Sequence, residues 1–291
     1  MNKHFLNLKE YGPTKVRELV YAAHELKKGS HHENLDGKYL ALIFEKSSTR
    51  TRLSFEVAMN QLGGKASFLS VKDLQLGRGE PISDTSRVIS SMADAIVLRT
   101  LKHSTLEEFA ESSSVPIING LTDLSHPCQL LADMLTFIEH KGSIENKKVC
   151  WVGDCNNVCY SYMEAAEIFN FELIIVCPDD YQPKDIKLNN NVKLTNLIDI
   201  GLKDADLVTT DVWVSMGDEK DSKRRLSSFS DYQISPTVMD KAKSDAIFLH
   251  CLPAVRGQEI SIDMLDDPRS KVWKQAENRL HAQKSLLLDL L

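Results

Sequence analysis

The sequence predicts an α/β protein of two domains, each a mainly parallel sheet flanked by helices, with the active site in the cleft between them. Three observations carry that expectation. Short apolar runs alternate with stretches of helical spacing, and the alternation occurs on both sides of a polar stretch, Glu139–Lys147. At 291 residues the chain has room for about two ordinary domains. The unusual polar residues fall just after apolar runs, at the carboxyl ends of the predicted strands, where open parallel sheets bind ligands. The predicted division is 1–140, 141–268, and a C-terminal helix, 269–291, packing back on the first domain.

In chain order, Thr14–Lys28 carries Val16, Leu19, Val20, Ala23 and Leu26 on one helical face, and Gly29 ends it. The apolar run Tyr39–Phe44 predicts a buried strand. After it come Ser47-Ser-Thr-Arg-Thr-Arg52 and a helix with Phe55, Ala58, Met59 and Leu62 at helical spacing, stopped by Gly63-Gly64. A short strand at Ala66–Leu69 leads to an irregular loop, 73–81, with two glycines and a proline. A helix over Ile82–Met92 and a strand at Ala95–Leu98 follow, the strand ending at Arg99. Thr105-Leu-Glu-Glu108 has the form of a capping box opening another helix. A strand at Val115–Ile118 ends at Asn119-Gly120, and Pro127 suits the first position of the next helix.

The second half predicts strands at Val149–Gly153, Glu172–Cys177, Val192–Thr195, Asp206–Thr210 and Ala246–His250. Helices are expected over Asn157–Asn170, Leu197–Gly201, Ser235–Lys243 and Lys271–Leu290. The polar stretch Ser215–Ser230 reads as a long loop, a length that is usually functional or disordered.

Composition narrows the function classes. Apolar content of 42% and charged content of 26% are those of a soluble globular chain. No apolar run approaches the length of a membrane span, and the N-terminus shows no signal-peptide core. Six cysteines at 128, 150, 155, 159, 177 and 251 lie mostly in or beside apolar runs, as expected of reduced thiols in a cytoplasmic protein. Cys155 and Cys159 lack a second Cys/His pair to complete a zinc site, so no metal is expected. A net charge of −6 argues against a nucleic-acid partner. It leaves an anionic substrate open, because a local arginine cluster sets the local field.

The polar clusters carry the chemistry. Ser47–Arg52 sits where a strand hands over to a helix N-terminus, whose first N–H groups lack intrahelical acceptors and favour an anion. Two arginines and several hydroxyls there make a phosphate cradle; the plain alternative is an N-cap followed by exposed arginines. With Arg50 and Arg52, Arg99 and His126 make this rim cationic; Arg99 also fits a surface strand end, and His126 a loop histidine. The second rim holds Gly153-Asp-Cys-Asn-Asn157, Asp211-Val-Trp-Val-Ser-Met-Gly217 and His250-Cys-Leu-Pro253. Asn156-Asn157 also fits a turn and N-cap, and Cys251 a buried small hydrophobe. The Gly153 cluster lacks the full Gly-x-Gly-x-x-Gly pattern, which weakens a nicotinamide-dependent reading.

Taken together, Ser48–Arg52, His126-Pro-Cys-Gln129, Asp211–Gly217 and His250–Pro253 resemble the aspartate/ornithine carbamoyltransferase family over nearly the whole chain, through Glu277-Asn-Arg279. His-Cys-Leu-Pro and Ser-Met-Gly point to its ornithine-specific branch. The resemblance implies transfer of a carbamoyl group from carbamoyl phosphate to the δ-amine of L-ornithine, without a cofactor. It implies carbamoyl-phosphate contacts at Ser48, Thr49, Arg50, Thr51, Gln75, Arg99, His126, Gln129, Cys251, Leu252 and Arg279. Ornithine contacts are implied at Asn157, Asp211, Ser215 and Met216, and catalytic roles for Cys251, Arg99 and His126. A homotrimer is implied as well, with Gln75 reaching a neighbouring subunit's site. Another amine, such as putrescine or N-acetylornithine, is the alternative acceptor. A non-catalytic binding relative is the alternative from another class, but such a relative should have lost site residues.

Overall fold

A computed structural model describes residues 4–29, 34–74, 79–183, 188–215 and 219–291. The chain forms two compact units, Met1–Leu135 with Glu277–Leu291, and Thr136–Ala276.

In the first unit, β1 (Tyr39–Phe44), β2 (Lys65–Ser70), β3 (Ala95–Arg99) and β4 (Ile117–Leu121) form a parallel sheet in the order β2-β1-β3-β4. Its helices are α1 (Leu8–Tyr11), α2 (Pro13–Lys27), α3 (Thr49–Gln61), α4 (Ile82–Ser90), α5 (His103–Ser112) and the start of α6 (Pro127–Lys141). Strands β1 and β3 read as near-continuous apolar runs because both faces are covered: Ala41, Ile43, Ile96 and Leu98 pack with Leu106 and Phe109 of α5.

The second unit repeats the plan. Strands β5 (Lys148–Val152), β6 (Glu172–Val176), β7 (Val192–Thr195), β8 (Leu207–Thr210) and β9 (Ile247–His250) form a parallel sheet in the order β7-β6-β5-β8-β9. Its helices are α7 (Asn157–Phe169), α8 (Ile198–Leu202), α9 (Ser222–Ser228) and α10 (Pro236–Met239), and α11 (Val272–Leu290) begins there. Cys150, Val152, Val176, Val208 and Phe248 form its core with Leu202, Met239 and Met264. No helix among the described residues is long and apolar enough to cross a membrane.

Both sheets reverse their strand order once. The first does so between β1 and β3, the second between β5 and β8. Such switch points open a crevice outside the strand ends, because the connections on either side depart in opposite directions.

Four expectations shift. The Thr105 capping box is unused: α5 starts earlier, with Lys102 as N-cap, and Asp123 Oδ1 accepts the His103 N–H at 2.9 Å. A carboxylate distant in sequence thus replaces the local cap. Strand β4 runs later than predicted, because Asn119 and Leu121 still pair with Leu98 and Arg99 of β3. The helix expected over Ser235–Lys243 is shorter, Pro236–Met239. Ser215–Ser230 is not all loop, for α9 occupies Ser222–Ser228. Its Lys-Arg-Arg-Leu composition favours helix, but it buries too little to show an apolar period.

Candidate active site

In the first unit the switch point is furnished from four directions. Ser48, after β1, is the N-cap of α3, and its Oγ accepts the Thr51 N–H at 3.3 Å. Arg99 ends β3, where the register against β4 shifts by one residue between Leu98 and Arg99. The β1 and β3 ends are tied together, since Glu45 Oε2 accepts from Thr100 Oγ1 and from the Leu101 N–H, each at 2.8 Å. His126 precedes α6 and Gln129 lies in its first turn. Arg279 comes from the part of α11 that belongs to this unit.

These side chains form a buried polar network. Arg99 is 8% exposed, His126 5%, and Gln129 and Arg279 2% each. Arg279 Nη1 donates to Gln129 Oε1 at 2.7 Å, and its Nη2 donates to Thr51 Oγ1 at 3.2 Å. Gln129 Nε2 donates to the buried Asp133 at 2.8 Å, which fixes the amide's orientation. Burial, and then the charges of Arg279, Arg99 and Arg50, hold His126 well below the ordinary histidine pKa. The imidazole is therefore neutral at pH 7, a hydrogen-bond donor rather than another cation.

The structure separates the two cradle arginines. Arg50 acts on His126, whereas Arg52 turns outward. Arg52 Nε donates to Glu56 Oε1 at 3.0 Å, and its guanidinium lies 3.9 Å from the Phe68 ring centroid. Arg52 thus belongs to the helix surface. Thr49 is exposed, Ser48 and Arg50 are half-buried, and Gln75 lies outside the described residues.

In the second unit the switch point gathers Asn156 and Asn157 after β5 and Asp211 after β8, and Cys251 follows β9 next to β8. Asp211 is the hub. Its Oδ1 accepts the Val212 N–H at 2.8 Å and the Cys251 thiol at 3.0 Å, and its Oδ2 accepts Asn156 Nδ2 at 2.7 Å. Asn157 opens α7 half-buried, and Ser215 is half-buried. Met216 lies outside the described residues.

Cys251 and Leu252 are held by a buried pair. His250 Nδ1 accepts the Leu252 N–H at 2.9 Å, so its proton sits on Nε2, which faces Glu259 Oε1 at 3.2 Å. Glu259 also accepts the Val255 N–H at 2.5 Å. That clamp holds Leu252 in the left-handed region, φ +56°, which a branched side chain rarely adopts. Asp211, His250 and Cys251 bring potential ligand atoms within 4.8 Å of one another. Both nitrogens of His250 are engaged, however, so it has no lone pair to offer and the group is not a metal centre.

The other five cysteines are free and buried. Burial pushes the Cys128 and Cys150 thiols up to about 12, leaving them inert small hydrophobes. Cys251 is more accessible and meets a carboxylate.

Sequence reasoning missed three participants. Asn156 was readable as a cap but not as the partner of Asp211. Glu259 sits nine positions after His250 in a polar stretch without any local signature. Arg225 on α9 pairs with Asp154 at 2.9 Å and donates to the Trp213 carbonyl at 3.2 Å, bracing the segment after Asp211.

Comparison with known proteins agrees over the full length. Residues 3–139 match the aspartate/ornithine carbamoyltransferase carbamoyl-P binding domain, and residues 145–290 match the Asp/Orn binding domain of the same family. An ornithine carbamoyltransferase of Hydrogenovibrio crunogenus is 53% identical over 296 residues, covering 99% of this chain and 98% of the relative. The anabolic ornithine carbamoyltransferase of Pseudomonas aeruginosa is 51% identical, covering 98% and 96%. The solved ornithine carbamoyltransferase of Pyrococcus furiosus superposes with a TM-score of 0.92 at 43% identity, covering 98% of this chain and 96% of that one.

Proposed function

The chain belongs to the aspartate/ornithine carbamoyltransferase family, and we propose how its two half-sites perform that chemistry. The enzyme transfers the carbamoyl group of carbamoyl phosphate to the δ-amine of L-ornithine, giving L-citrulline and phosphate. The observation that carries the assignment of roles is the contrast between the half-sites. One surrounds a neutral histidine with Arg50, Arg99 and Arg279. The other presents a carboxylate, a thiol and amides.

In this reading Ser48, Thr49, Arg50 and Thr51 hold the phosphate at the N-terminus of α3, where backbone N–H groups and the helix dipole add to the guanidinium charge. Arg99 and neutral His126 donate to the carbamoyl oxygen, and Gln129 and Arg279 orient the carbamoyl group. Asp211, Asn157, Ser215 and Met216 receive ornithine, with Cys251 and the Leu252 backbone beside the reacting carbon. The unprotonated δ-amine attacks the carbamoyl carbon and a tetrahedral intermediate forms. The C–O bond to phosphate then breaks, the surplus proton of the attacking nitrogen passing to the departing phosphate, while the arginines carry the leaving charge. Catalysis here is positioning plus preorganised electrostatics, and the residues supply every role without a cofactor.

A free alkylamine is mostly protonated at pH 7, so the amine side must select its minor form. The Asp211–Cys251 pair is placed to take the ammonium's hydrogen bonds while the proton departs. A homotrimer, with Gln75 completing a neighbour's site, follows from family resemblance. A cytoplasmic location agrees with six free cysteines. The anabolic name of the P. aeruginosa relative supports a role in arginine biosynthesis.

The test is citrulline formation from carbamoyl phosphate with ornithine, putrescine and N-acetylornithine compared in parallel. A strong preference for ornithine is expected. Preference for either other amine would overturn the roles of Asp211 and Ser215 while leaving the phosphate cradle standing.

A further inference from the structure

We propose that Asn156 is a positioning residue for the amine-side half-site: it couples the N-terminus of α7 to the Asp211 carboxylate and fixes the direction from which that carboxylate meets ornithine. The proposal rests on Asp211 being an ornithine contact.

Both ends of the Asn156 amide are committed. Oδ1 accepts the N–H groups of Val158 at 3.0 Å and Cys159 at 3.2 Å. An amide nitrogen cannot accept, so these two donors determine which end is oxygen. The NH2 group then has one direction left, toward Asp211 Oδ2 at 2.7 Å. On the carboxylate's other side, Oδ1 is held by the Val212 N–H and the Cys251 thiol. With donors on both oxygens, the Asp211 carboxylate cannot rotate without breaking a bond. Asn156 and Asp211 are 9% and 8% exposed, so water competes weakly for these bonds.

The residue type is informative. Asp, Ser and Asn cap helices about equally well. Only Asn joins an acceptor for the helix to a donor long enough to reach the neighbouring strand end. Asp would set a second carboxylate against Asp211, and Ser would fall short. The cap thus ties β5, through α7, to the residue that follows β8 across the switch point.

Substitution separates capping from positioning. Asn156→Ser and Asn156→Asp keep the cap and lose the donor; Asn156→Ala loses both. The unfolding midpoint should fall least in the Ser variant, by about 2–4 °C more in the Ala variant for the lost cap, and furthest in the Asp variant, where two buried carboxylates meet. All three should lose about 10–100-fold in kcat/KM for ornithine, Asn156→Asp the most, because a charge-assisted hydrogen bond is removed. KM for carbamoyl phosphate should move less than about twofold. Wild-type ornithine kinetics in Asn156→Ser would reduce Asn156 to a cap and overturn the proposal, as would a parallel rise in both substrates' KM values. Absence of citrulline formation by the unsubstituted enzyme is a separate failure, that of the ornithine assignment itself.

Discussion

Replacing Arg279 with methionine separates folding from ligand binding. Arg279 is 2% exposed and donates to Gln129 and Thr51 at 2.7 and 3.2 Å. Removing it forfeits two charge-assisted hydrogen bonds, about 1.5–3 kcal/mol each. It also removes one of three guanidiniums whose charge bears on His126, and a buried ion carries a desolvation penalty of several kcal/mol. These terms oppose each other, so ligand-free stability should change by about 2 kcal/mol or less. The liganded state has no such cancellation. At 100 times its dissociation constant, carbamoyl phosphate stabilises the wild type by about 2.7 kcal/mol. If losing this contact costs binding about 2.7 kcal/mol, within the range for one hydrogen bond to a charged group, affinity falls about 100-fold and the same concentration then only equals the new constant. The stabilisation falls to about 0.4 kcal/mol. Urea unfolding at neutral pH with and without carbamoyl phosphate measures both quantities, and kcat/KM for carbamoyl phosphate should fall about 10²–10³-fold. A folded Arg279→Met enzyme that keeps the wild-type ligand stabilisation would refute the assignment of Arg279 to the cradle.

Two further predictions concern stability. His126 is neutral in the fold, its pKa depressed by burial and by three arginines, whereas in the unfolded chain it titrates near 6.5. Below that value the unfolded state binds a proton that the folded state refuses. Stability should therefore fall as pH drops from about 6.5, by up to about 1.4 kcal/mol per pH unit, until the folded pKa is reached. Urea unfolding of wild type and His126→Asn between about pH 7.5 and 5.5 isolates this slope as a difference, and equal slopes would mean a protonated imidazole in the fold. Gly201 on α8 lies against the sheet, where an added Cβ would stand 2.1 Å from Val176 Cγ2 and 2.9 Å from Cys150 Sγ. Gly201→Ala should destabilise by about 1–3 kcal/mol. Adding Val176→Ala should recover part of that loss, and strict additivity of the two would show that the contact is not the cause.

Both sheets were legible because parallel strands buried on two faces read as unbroken apolar runs, as Leu40–Phe44 and Leu173–Val176 do. The boundaries that moved did so for tertiary reasons. The start of α5 is set by Asp123, twenty residues from His103, and the extent of β4 by its pairing with Leu98 and Arg99 of β3. Local propensity carries no information about either partner. Helix α9 was hidden for the opposite reason: with no buried residue of its own, it lacks the apolar period by which helices are recognised.

The residues of the candidate site were easier to single out than the boundaries because sheet topology concentrates them. A polar residue after a strand is ambiguous alone, but strand ends at a switch point face one crevice, so Ser48 and Arg99, or Asn157 and Asp211, explain one another. What remained hidden were the residues that orient these groups. Glu259 matters only because His250 must accept at Nδ1 and donate at Nε2. Asp133 matters only because Gln129 must turn its oxygen to Arg279. Their roles lie in which end of an imidazole or an amide faces which partner, a property of paired geometry rather than residue type. Asn156 is the limiting case. Its cap role is written in the sequence before α7, and that role compels the amide's other end toward Asp211. The local signal was present, but its consequence required knowing that β8 lies beside β5.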